Sequence, residues 1–421
     1  MIAIALLGLV LALFWLRQPL VVVLLAAAAF VQFAWGKGQL DYILEDMWVA
    51  LDKELILSIP LFILCGNVMT RGSTAKRLIR IVAALTRPLP GGLAVATILS
   101  CGIFAAISGS SIVTMLAIGT VMVPAMKAAG YDNKLALGTA MSAGTLGIVI
   151  PPSIPMIVYG LVTEASITDL FLSGVGPGIL ILIVMSVYAM IVCRKMPTQP
   201  FSIAELGIAL REGIWAMVMP VILLGGIYSG YFTATEAAAV ALVYACFIEM
   251  FVHKELRPSD FYHVVLEQSK LGGSLFPVLA VALSLNIVLI EHRVPTMMVE
   301  LMQGYISSPW MFMLLVNILL LIVGCLMTTN EAILILAPLL APVAEAYGFN
   351  KIVFGIIMIL NLEIGFLTPP VGLNLIVAMS AFKQPFGLLI KAAVPYVFLM
   401  IGCLACVIWQ PWIAMALVGK H

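Results

Sequence analysis

Hydroxyl, glycine and proline residues recur at matching positions in the two halves of this 421-residue chain. Each half has a polar segment, then a glycine, then a double proline: Ser108-Gly-Ser-Ser111, Gly147 and Pro151-Pro152, followed by Thr328-Thr-Asn330, Gly365 and Pro369-Pro370. The second glycine and the second proline pair both lie 218 residues after the first, so the copies align without an insertion. Hydroxyl and carbonyl oxygens are suitable ligands for hard cations such as Na⁺. The repeated set therefore predicts two related cation sites.

A double proline interrupts a helix and frees backbone groups on both sides of the break. Proline has no N–H group and its ring blocks helix continuation, so each helix must stop and restart. Carbonyl groups at the end of the first half-helix can coordinate a cation, and the positive N-terminal end of the next half-helix attracts an anion. Ser108, Ser110 and Ser111 add oxygen atoms in the first half, and the corresponding groups of the second half are Gly324, Thr328, Thr329, Gly365 and Thr368. Simple proline kinks, which are common in membrane helices, are the alternative interpretation.

The composition restricts the chain to membrane proteins. Hydrophobic residues make up 63% of the sequence and charged residues 10%, and the mean hydropathy is +1.18. These values are typical of an integral α-helical protein with many spans. A net charge of +1 offers no basic surface for nucleic acid, and the four histidines are scattered without catalytic or metal-ligand spacing. The sequence therefore predicts neither an enzyme nor a nucleic-acid-binding protein. Residues 1–16 are apolar and are interpreted as a helix that is retained rather than cleaved as a signal peptide.

Because about 20 apolar residues cross a bilayer, the order of spans can be read from hydropathy. In the first half, spans are predicted at 1–16, 19–35, 55–70, 133–163 and 171–192, with amphipathic stretches at 39–54 and 73–87. In the second half, spans are predicted at 213–231, 233–252, 271–290, 351–380 and 386–409, with amphipathic stretches at 255–270 and 291–307. The domains assigned on this basis are a first repeat at 1–195, a linker at 196–212 and a second repeat at 213–421.

The helix pairs at 91–127 and 309–345 are each joined by a short polar link. Two surface turns between full spans are one alternative, and two hairpins that re-enter the membrane from opposite faces are the other. Re-entry is favoured because both links precede a broken helix, at 133–163 and 351–380, and polar backbone at membrane depth must line a protein-enclosed cavity. Each half then has five true spans, so the repeats are inverted. Lys and Arg residues around the first hairpin assign that face to the cytoplasm.

Two acidic residues and two helix starts are interpreted separately. Glu363 lies two residues before the second glycine of the repeat. It is interpreted either as a support for the second cation site or a proton-sensitive group, or as a hydrogen-bonded packing residue. Glu236 follows Thr233 with the spacing of a capping box, which favours a plain helix start. Asp132 and Asn350 match in register, and both are predicted to cap the next helix.

Several segments together resemble the large membrane subunit of TRAP transporters, the DctM-like family. They are Ser108-Gly-Ser-Ser111, Gly144-Thr-Leu-Gly147 with Pro151-Pro-Ser-Ile-Pro155, Thr233-Ala-Thr-Glu-Ala-Ala-Ala239, and Asn361-Leu-Glu-Ile-Gly365 with Thr368-Pro-Pro-Val-Gly-Leu-Asn374. The resemblance covers essentially the whole chain. It implies an all-α polytopic membrane fold with inverted repeats, two re-entrant hairpins, two discontinuous helices and an elevator-type movement.

The resemblance also implies an activity and partners. The expected activity is Na⁺-coupled uptake of a small organic acid, such as a C4-dicarboxylate, a sialic or sugar acid, or a keto acid, across the bacterial inner membrane. The expected partners are a soluble periplasmic substrate-binding protein and a small four-helix membrane subunit. The small subunit is expected to be a separate chain, because no four-helix extension precedes the first span. Na⁺ is the only metal ion and the only cofactor expected.

Site residues follow from the same motif match. For the first Na⁺ site they are Ser108, Ser111, Gly144, Gly147, Ile150 and Pro151. For the second Na⁺ site they are Gly324, Thr328, Gly365, Thr368 and Val371. For the substrate they are Ser110, Ser153, Thr329, Asn330 and Asn374. At the second tip the chain has Thr328-Thr-Asn330-Glu331 where many relatives carry an Asp, which affects side-chain ligands but not backbone carbonyls.

Three other classes of protein are considered. The main alternative is a Na⁺/H⁺ or anion antiporter of similar inverted architecture that works without a binding protein. A channel requires a continuous pore, whereas two hairpins that meet tip to tip favour an occluded site. A membrane enzyme is disfavoured because the sequence has no cluster of His, Asp and Glu residues.

Overall fold

The computed structural model describes residues 2–34 and 40–419, and the regular elements within these ranges are all helices. The helices of the first half are α1 (Ile2–Trp15), α2 (Leu20–Ala34), α3 (Asp41–Leu51), α4 (Ser58–Arg71), α5 (Thr74–Thr86), α6 (Gly92–Ser108), α7 (Ser111–Ala128), α8 (Asn133–Gly144), α9 (Leu146–Val149), α10 (Ile154–Thr163) and α11 (Ile167–Val192). Those of the second half are α12 (Ile203–Tyr228), α13 (Ala234–Phe247), α14 (Pro258–Glu291), α15 (Val294–Tyr305), α16 (Pro309–Leu326), α17 (Thr329–Ala346), α18 (Lys351–Phe366), α19 (Leu373–Phe382), α20 (Phe386–Trp409) and α21 (Trp412–Met415). Within the described ranges, ten helical segments are long and apolar enough to cross a membrane. The predicted all-α polytopic membrane fold is confirmed.

Two helix pairs form the predicted hairpins. Hairpin one consists of α6 and α7, which are separated only by Gly109 and Ser110. Hairpin two consists of α16 and α17, which are separated by Met327 and Thr328. Gly109 has a φ angle of 59°, in the left-handed region where a residue without a Cβ is favoured. The chain therefore reverses within two residues, and each hairpin has a narrow polar tip.

The helix after each hairpin is broken where the sequence predicts. In the first half, the helical segment 133–163 is interrupted at Thr145 and at 150–153. In the second half, the break between α18 and α19 covers 367–372. Pro151-Pro152 and Pro369-Pro370, whose peptide bonds are cis, lie within these breaks. The two halves thus share the order of hairpin followed by broken helix.

Side-chain caps begin the helices at the predicted positions. Asp132 Oδ2 accepts hydrogen bonds from the backbone N–H groups of Lys134 and Leu135 at 2.9 and 3.2 Å. Asn350 Oδ1 accepts the equivalent pair at the start of α18, at 2.8 and 3.3 Å. A reciprocal capping box between Thr233 and Glu236 starts α13. These side chains satisfy N–H groups that have no partner within the helix, so the capping interpretation is confirmed.

Two segment boundaries differ from the sequence-based prediction. Residues 255–270 and 271–290 belong mostly to one helix, α14, which is 34 residues long, so the predicted boundary at residue 270 is wrong. At 1.5 Å per residue α14 is about 50 Å long and exceeds the hydrocarbon core of a bilayer. The local signal next to the predicted boundary, Gly272-Gly273, lowers helix propensity without preventing a helix. Helix α12 begins at Ile203, inside the segment assigned to the linker, and Ser202 accepts from the Glu205 N–H at 3.3 Å.

A buried carboxylate attaches α5 to the end of α13. Glu249 lies in a π-helical turn, Ile248–Val252, that extends α13, and its side chain has no exposed surface. The carboxylate accepts hydrogen bonds from the backbone N–H groups of Ser73 and Thr74 at 3.1 and 2.9 Å, and from the Thr74 hydroxyl. A negative charge at a helix N-terminus interacts favourably with the helix dipole. Glu249 therefore fixes the start of α5, the helix that leads into hairpin one.

Candidate functional site

The tip of hairpin one is in backbone contact with the first broken helix. A Cβ added at Gly147 in α9 would lie 2.4 Å from the Ser110 carbonyl oxygen and 2.6 Å from Thr114 Oγ1. The Ile154 N–H at the start of α10 donates to the Gly109 carbonyl oxygen at 3.3 Å. Contacts this short are available only to glycine. The tip and the break therefore form one unit at the predicted first cation site.

The second half repeats this contact between hairpin and broken helix. A Cβ added at Gly365 in α18 would lie 2.5 Å from the carbonyl carbon of Gly324 in α16. The Gly372 N–H at the start of α19 donates to the Cys325 carbonyl oxygen at 3.2 Å. Gly372 and Ile154 occupy the same position of the repeat, 218 residues apart. A backbone hydrogen bond from the equivalent N–H group thus connects the restarted helix to the hairpin in both halves, although the two acceptors lie 216 residues apart.

A short chain of buried polar side chains connects the two halves. Ser111 at the start of α7 donates to Asn374 Oδ1 of α19 at 3.5 Å. Asn374 Nδ2 donates to Glu363 Oε1 of α18 at 3.1 Å. The side chains of Asn374 and Glu363 have no exposed surface, and Glu363 Oε2 has no hydrogen-bond partner within the described part of the chain. A buried carboxylate oxygen without a donor is unfavourable unless a cation or a proton compensates it.

Both hairpin tips line the same cavity. Its volume is about 510 Å³, and its polar wall is made of Asn67, Ser110, Ser111, Gln268, Ser274, Thr328, Thr329, Asn330, Glu331 and Glu363. Asn67 belongs to α4 and Gln268 to α14, so helices outside the hairpins complete the wall. Asn330 Oδ1 and Thr329 Oγ1 are buried and have no hydrogen-bond partner among the described residues. Ligand-binding cavities combine an apolar lining with a few polar groups of this kind.

Four helices begin at this cavity. The starts of α7, α10, α17 and α19 contribute Ser111, Ile154, Thr329 and Leu373 to its wall. A helix N-terminus carries unpaired N–H groups and about half a positive charge, so it favours a negatively charged ligand. The arrangement arises because each hairpin supplies the start of its second helix. Each broken helix supplies the start of its second part. The cavity therefore combines hydroxyl groups with four positive helix ends.

The comparisons with known proteins agree with this architecture. The family model for the Tripartite ATP-independent periplasmic transporter, DctM component, matches residues 7–413. A protein named C4-dicarboxylate TRAP transporter large permease protein DctM from Pseudomonas aeruginosa is 43% identical over 365 residues, which is 86% of each chain. The protein of the same name from Vibrio cholerae is 40% identical over 382 residues, 85% of this chain and 84% of that protein. The chain belongs to the TRAP transporter large permease family.

Membership of this family confirms the class of protein predicted from the motifs. A TRAP permease is a transport subunit and not an enzyme, and it is a multi-pass protein of the inner membrane. Its family model describes one component of a tripartite system. The solved YdaH transporter of Alcanivorax borkumensis superimposes with a TM-score of 0.63 over 88% of each chain at 12% identity. That likeness is one of fold alone.

A second, smaller cavity lies beside the tip of hairpin two in this TRAP permease. Its volume is about 170 Å³, and Gly324, Thr328, Glu331 and Val371 contribute to its wall. Glu331 lines the large cavity as well, and its carboxylate accepts from the Thr328 N–H at 3.1 Å. Three residues of the predicted second Na⁺ site thus share a small cavity with a carboxylate. The Thr328 hydroxyl and the Glu331 carboxylate are oxygen donors of the kind that hard cations bind, and the role of these residues as Na⁺ ligands stays a prediction.

The structure distributes the predicted site residues over three locations. On the large cavity lie Ser110, Ser111, Thr328, Thr329 and Asn330. On the small cavity lie Gly324, Thr328 and Val371. Away from both walls lie Ser108, Gly144, Gly147, Ile150, Pro151, Ser153, Gly365, Thr368 and Asn374. Among these, the Ser153 hydroxyl does not face either cavity and donates to the Ile148 carbonyl oxygen at 2.6 Å.

Several polar residues of the site were not assigned from the sequence, and Asn67, Gln268 and Thr114 show why. Asn67 and Gln268 line the large cavity, and the Thr114 hydroxyl lies 2.6 Å from the Ser108 hydroxyl behind the first tip. Asn67 is detectable as a polar residue within an apolar span. Gln268 gives no such signal, because it lies in a stretch where polar residues are expected. Thr114 is one turn beyond the first polar segment, so helical periodicity could have placed it next to Ser110.

Proposed function

We propose that this chain carries a small organic acid into the cell together with Na⁺, as the large membrane subunit of a TRAP transporter. The convergence of four helix N-termini on one cavity carries the proposal, since it creates a site for an anion without any Lys or Arg on the described cavity wall. Serine and threonine hydroxyls from both tips add hydrogen-bond donors. A small membrane subunit and a periplasmic binding protein are the proposed partners, in line with the tripartite family.

The substrate class proposed first is a C4-dicarboxylate. The two relatives compared above are named for transport of C4-dicarboxylates. A molecule of that size with two carboxylates suits a cavity of about 510 Å³ in which positive helix ends come from both halves. Sugar acids and keto acids carry the same charged group and are the next candidates.

Na⁺ coupling is supported by the charge of the cavity wall. The wall carries the carboxylates of Glu331 and Glu363 but, among the described residues, no basic side chain. Two like charges a few Å apart in a partly buried site repel each other by several kcal/mol, so an ionised Glu331 or Glu363 opposes an organic acid. Na⁺ bound at the tips would neutralise them. Substrate binding should therefore depend on prior binding of Na⁺, and that order couples the two fluxes.

The proposed movement is an elevator in which the hairpins and broken helices move against the remaining helices. In this structure the cavity is completed by Asn67, one turn before Arg71, and by Gln268, next to Glu267. Arg71 and Glu267 form an ion pair of 2.6 Å. Basic residues follow Arg71 in α5, and the positive-inside rule assigns that side to the cytoplasm. The structure is accordingly proposed to represent an inward-facing state.

Uptake by reconstituted protein tests the proposal. The chain and its small membrane subunit are placed in proteoliposomes, and the binding protein is added outside with radiolabelled succinate. We expect uptake with an inward Na⁺ gradient and at least tenfold less uptake when K⁺ replaces Na⁺ on both sides. A thermal-shift screen of the binding protein against dicarboxylates, sugar acids and keto acids identifies the acid to use if succinate does not bind.

Two outcomes would contradict parts of this proposal. Equal uptake with and without Na⁺ would remove the coupling to Na⁺. Uptake or exchange that needs no binding protein, with H⁺ or a second anion moving in the opposite direction, would favour the antiporter alternative. Proteoliposomes that lack the large subunit serve as the control for leakage.

A further inference from the structure

Two adjoining cavities lie beside hairpin two, one bordered by α1, α2 and α14 and the other by α3, α10 and α14. The first has a volume of about 470 Å³ and the second about 530 Å³. Asn286 of α14 and Pro338 of α17 belong to the walls of both, so the cavities meet at these residues. They are separate from the cavity at the hairpin tips, whose wall includes neither residue. We call the first the apolar cavity and the second the cationic cavity.

The apolar cavity has the dimensions and lining expected of a channel for a hydrocarbon chain. Apart from Asn286 its described wall consists of apolar residues, including Ala27 of α2 and Ala282 of α14. It extends along α17 and reaches Val323 and Met327, next to the tip of hairpin two. An apolar gap between membrane helices is open to the acyl chains of the surrounding bilayer, which fill it through van der Waals contact.

The cationic cavity carries an excess of positive charge at the end of the membrane helices. Lys53 follows α3, Arg293 precedes α15, and Lys351 is the first residue of α18; all three line the cavity. Glu164 is the one carboxylate among the lining residues. None of these three cations forms an ion pair within the described part of the chain. Helix ends lie at the level of lipid headgroups, so this cavity is placed where a phosphate group would be.

The residue at the junction has an unused polar atom. The Asn286 side chain is 7% exposed, and its Nδ2 donates to the Val162 carbonyl oxygen at 3.2 Å. Asn286 Oδ1 is buried and has no hydrogen-bond partner among the described residues. A buried amide oxygen without a donor costs free energy, so an occupant with a hydroxyl or N–H group at this depth would be stabilised. This observation is independent of the charges and indicates a ligand that passes from one cavity to the other.

We propose that a single phospholipid with an anionic headgroup occupies both cavities. Its phosphate lies among Lys53, Arg293 and Lys351, and a hydroxyl group of the headgroup donates to Asn286 Oδ1. One acyl chain follows hairpin two towards its tip. The lipid thereby fills the gap between hairpin two and α2, and this part of the hairpin surface meets an acyl chain rather than protein side chains.

Native mass spectrometry of the purified complex tests this proposal. The chain and its small subunit are delipidated in detergent and titrated with phosphatidylglycerol. The triple variant Lys53→Gln, Arg293→Gln, Lys351→Gln should bind the tightest lipid at least tenfold more weakly than the unmodified complex. Ala282→Phe, which fills the apolar cavity, should weaken binding similarly. Lys195→Gln, at an exposed lysine beyond α11 that lines neither cavity, serves as the matched control and should leave binding unchanged.

The same experiment contains the results that overturn the proposal. Equal lipid affinity for the unmodified complex, the triple variant and Ala282→Phe would remove the site. Displacement of phosphatidylglycerol by succinate at equal concentration would make the cationic cavity a site for the organic acid instead. Lys351→Gln alone replaces the triple variant if the latter lowers the melting temperature. Lipid binding is measured without Na⁺ or transport, so its result is independent of the proposed coupling.

Discussion

At the scale of single residues, glycine decides how closely the hairpin tips approach the broken helices. Gly147 and Gly365 occupy equivalent positions, and a Cβ at either would meet backbone atoms at 2.4 to 2.5 Å. A side chain at these positions would separate the two parts, because well-packed backbone cannot shift without cost. The oxygen atoms of tip and break are therefore held together by the absence of a side chain. These glycines contribute through shape even if no side-chain ligand is involved.

The first prediction concerns Gly147→Ala. Displacement of the Ser110 carbonyl should weaken the proposed first Na⁺ site, and we expect the Na⁺ concentration for half-maximal uptake to rise at least tenfold. The measurement is the Na⁺ dependence of uptake in proteoliposomes. Gly225→Ala in α12 is the control, because a Cβ there would have no atom within 4 Å. An unchanged Na⁺ dependence in a Gly147→Ala protein of normal stability would refute the first site.

At the scale of elements, the helix that leads into hairpin one is anchored by a carboxylate from the other half. Glu249 accepts two backbone N–H groups at the start of α5 and is fully buried. Gly72 allows this contact, since a Cβ there would lie 2.1 Å from Glu249 Cδ. Because α5 connects α4 with hairpin one, the anchor fixes one end of this connection.

The second prediction compares Glu249→Ala with Glu236→Ala in the purified complex. Loss of Glu249 leaves two buried N–H groups without a partner, and hydrogen bonds to a charged group contribute about 1.5 to 3 kcal/mol each. We expect a clear fall in melting temperature. Glu236→Ala also removes a capping carboxylate, but at an exposed helix start, and should lower the melting temperature less. The opposite order would show that the buried anchor does not stabilise the fold.

At the scale of the whole molecule, the cavities lie on different sides of the membrane under the proposed orientation. The tip cavity includes Gln268, next to the Arg71–Glu267 ion pair on the basic side. The cationic cavity includes Thr296, which lies beyond the other end of α14. Helix α14 is about 50 Å long at 1.5 Å per residue, so these positions are separated by most of a bilayer.

The third prediction uses this separation to test orientation and conformation. A cysteine at Gln268 should react with a membrane-impermeant maleimide in inside-out vesicles and be protected in right-side-out vesicles. A cysteine at Thr296 should show the opposite pattern. The unmodified chain, whose Cys406 is exposed on α20, is the background control. Labelling of Gln268→Cys from the outside would contradict the inward-facing assignment.

The sequence alone determined the repeat, the two tips and the two breaks. Proline and glycine act locally, because they remove an N–H group or a side chain wherever they occur. The double prolines therefore marked the breaks correctly, and Asp132 and Asn350 marked the next helix starts. The combination of motifs also identified the family, because the motifs consist largely of these glycine and proline positions.

Only the tertiary structure decided which polar groups share a cavity. Ser110 faces the cavity at the tips whereas Ser153 is turned to the Ile148 carbonyl oxygen, although both follow the same pattern of small polar residues beside a break. Ser111 and Asn374 are 263 residues apart and nevertheless form a hydrogen bond. Such contacts depend on how helices from both halves pack, which no local pattern specifies. The cationic cavity has the same origin, because its three cations come from three separate helix ends.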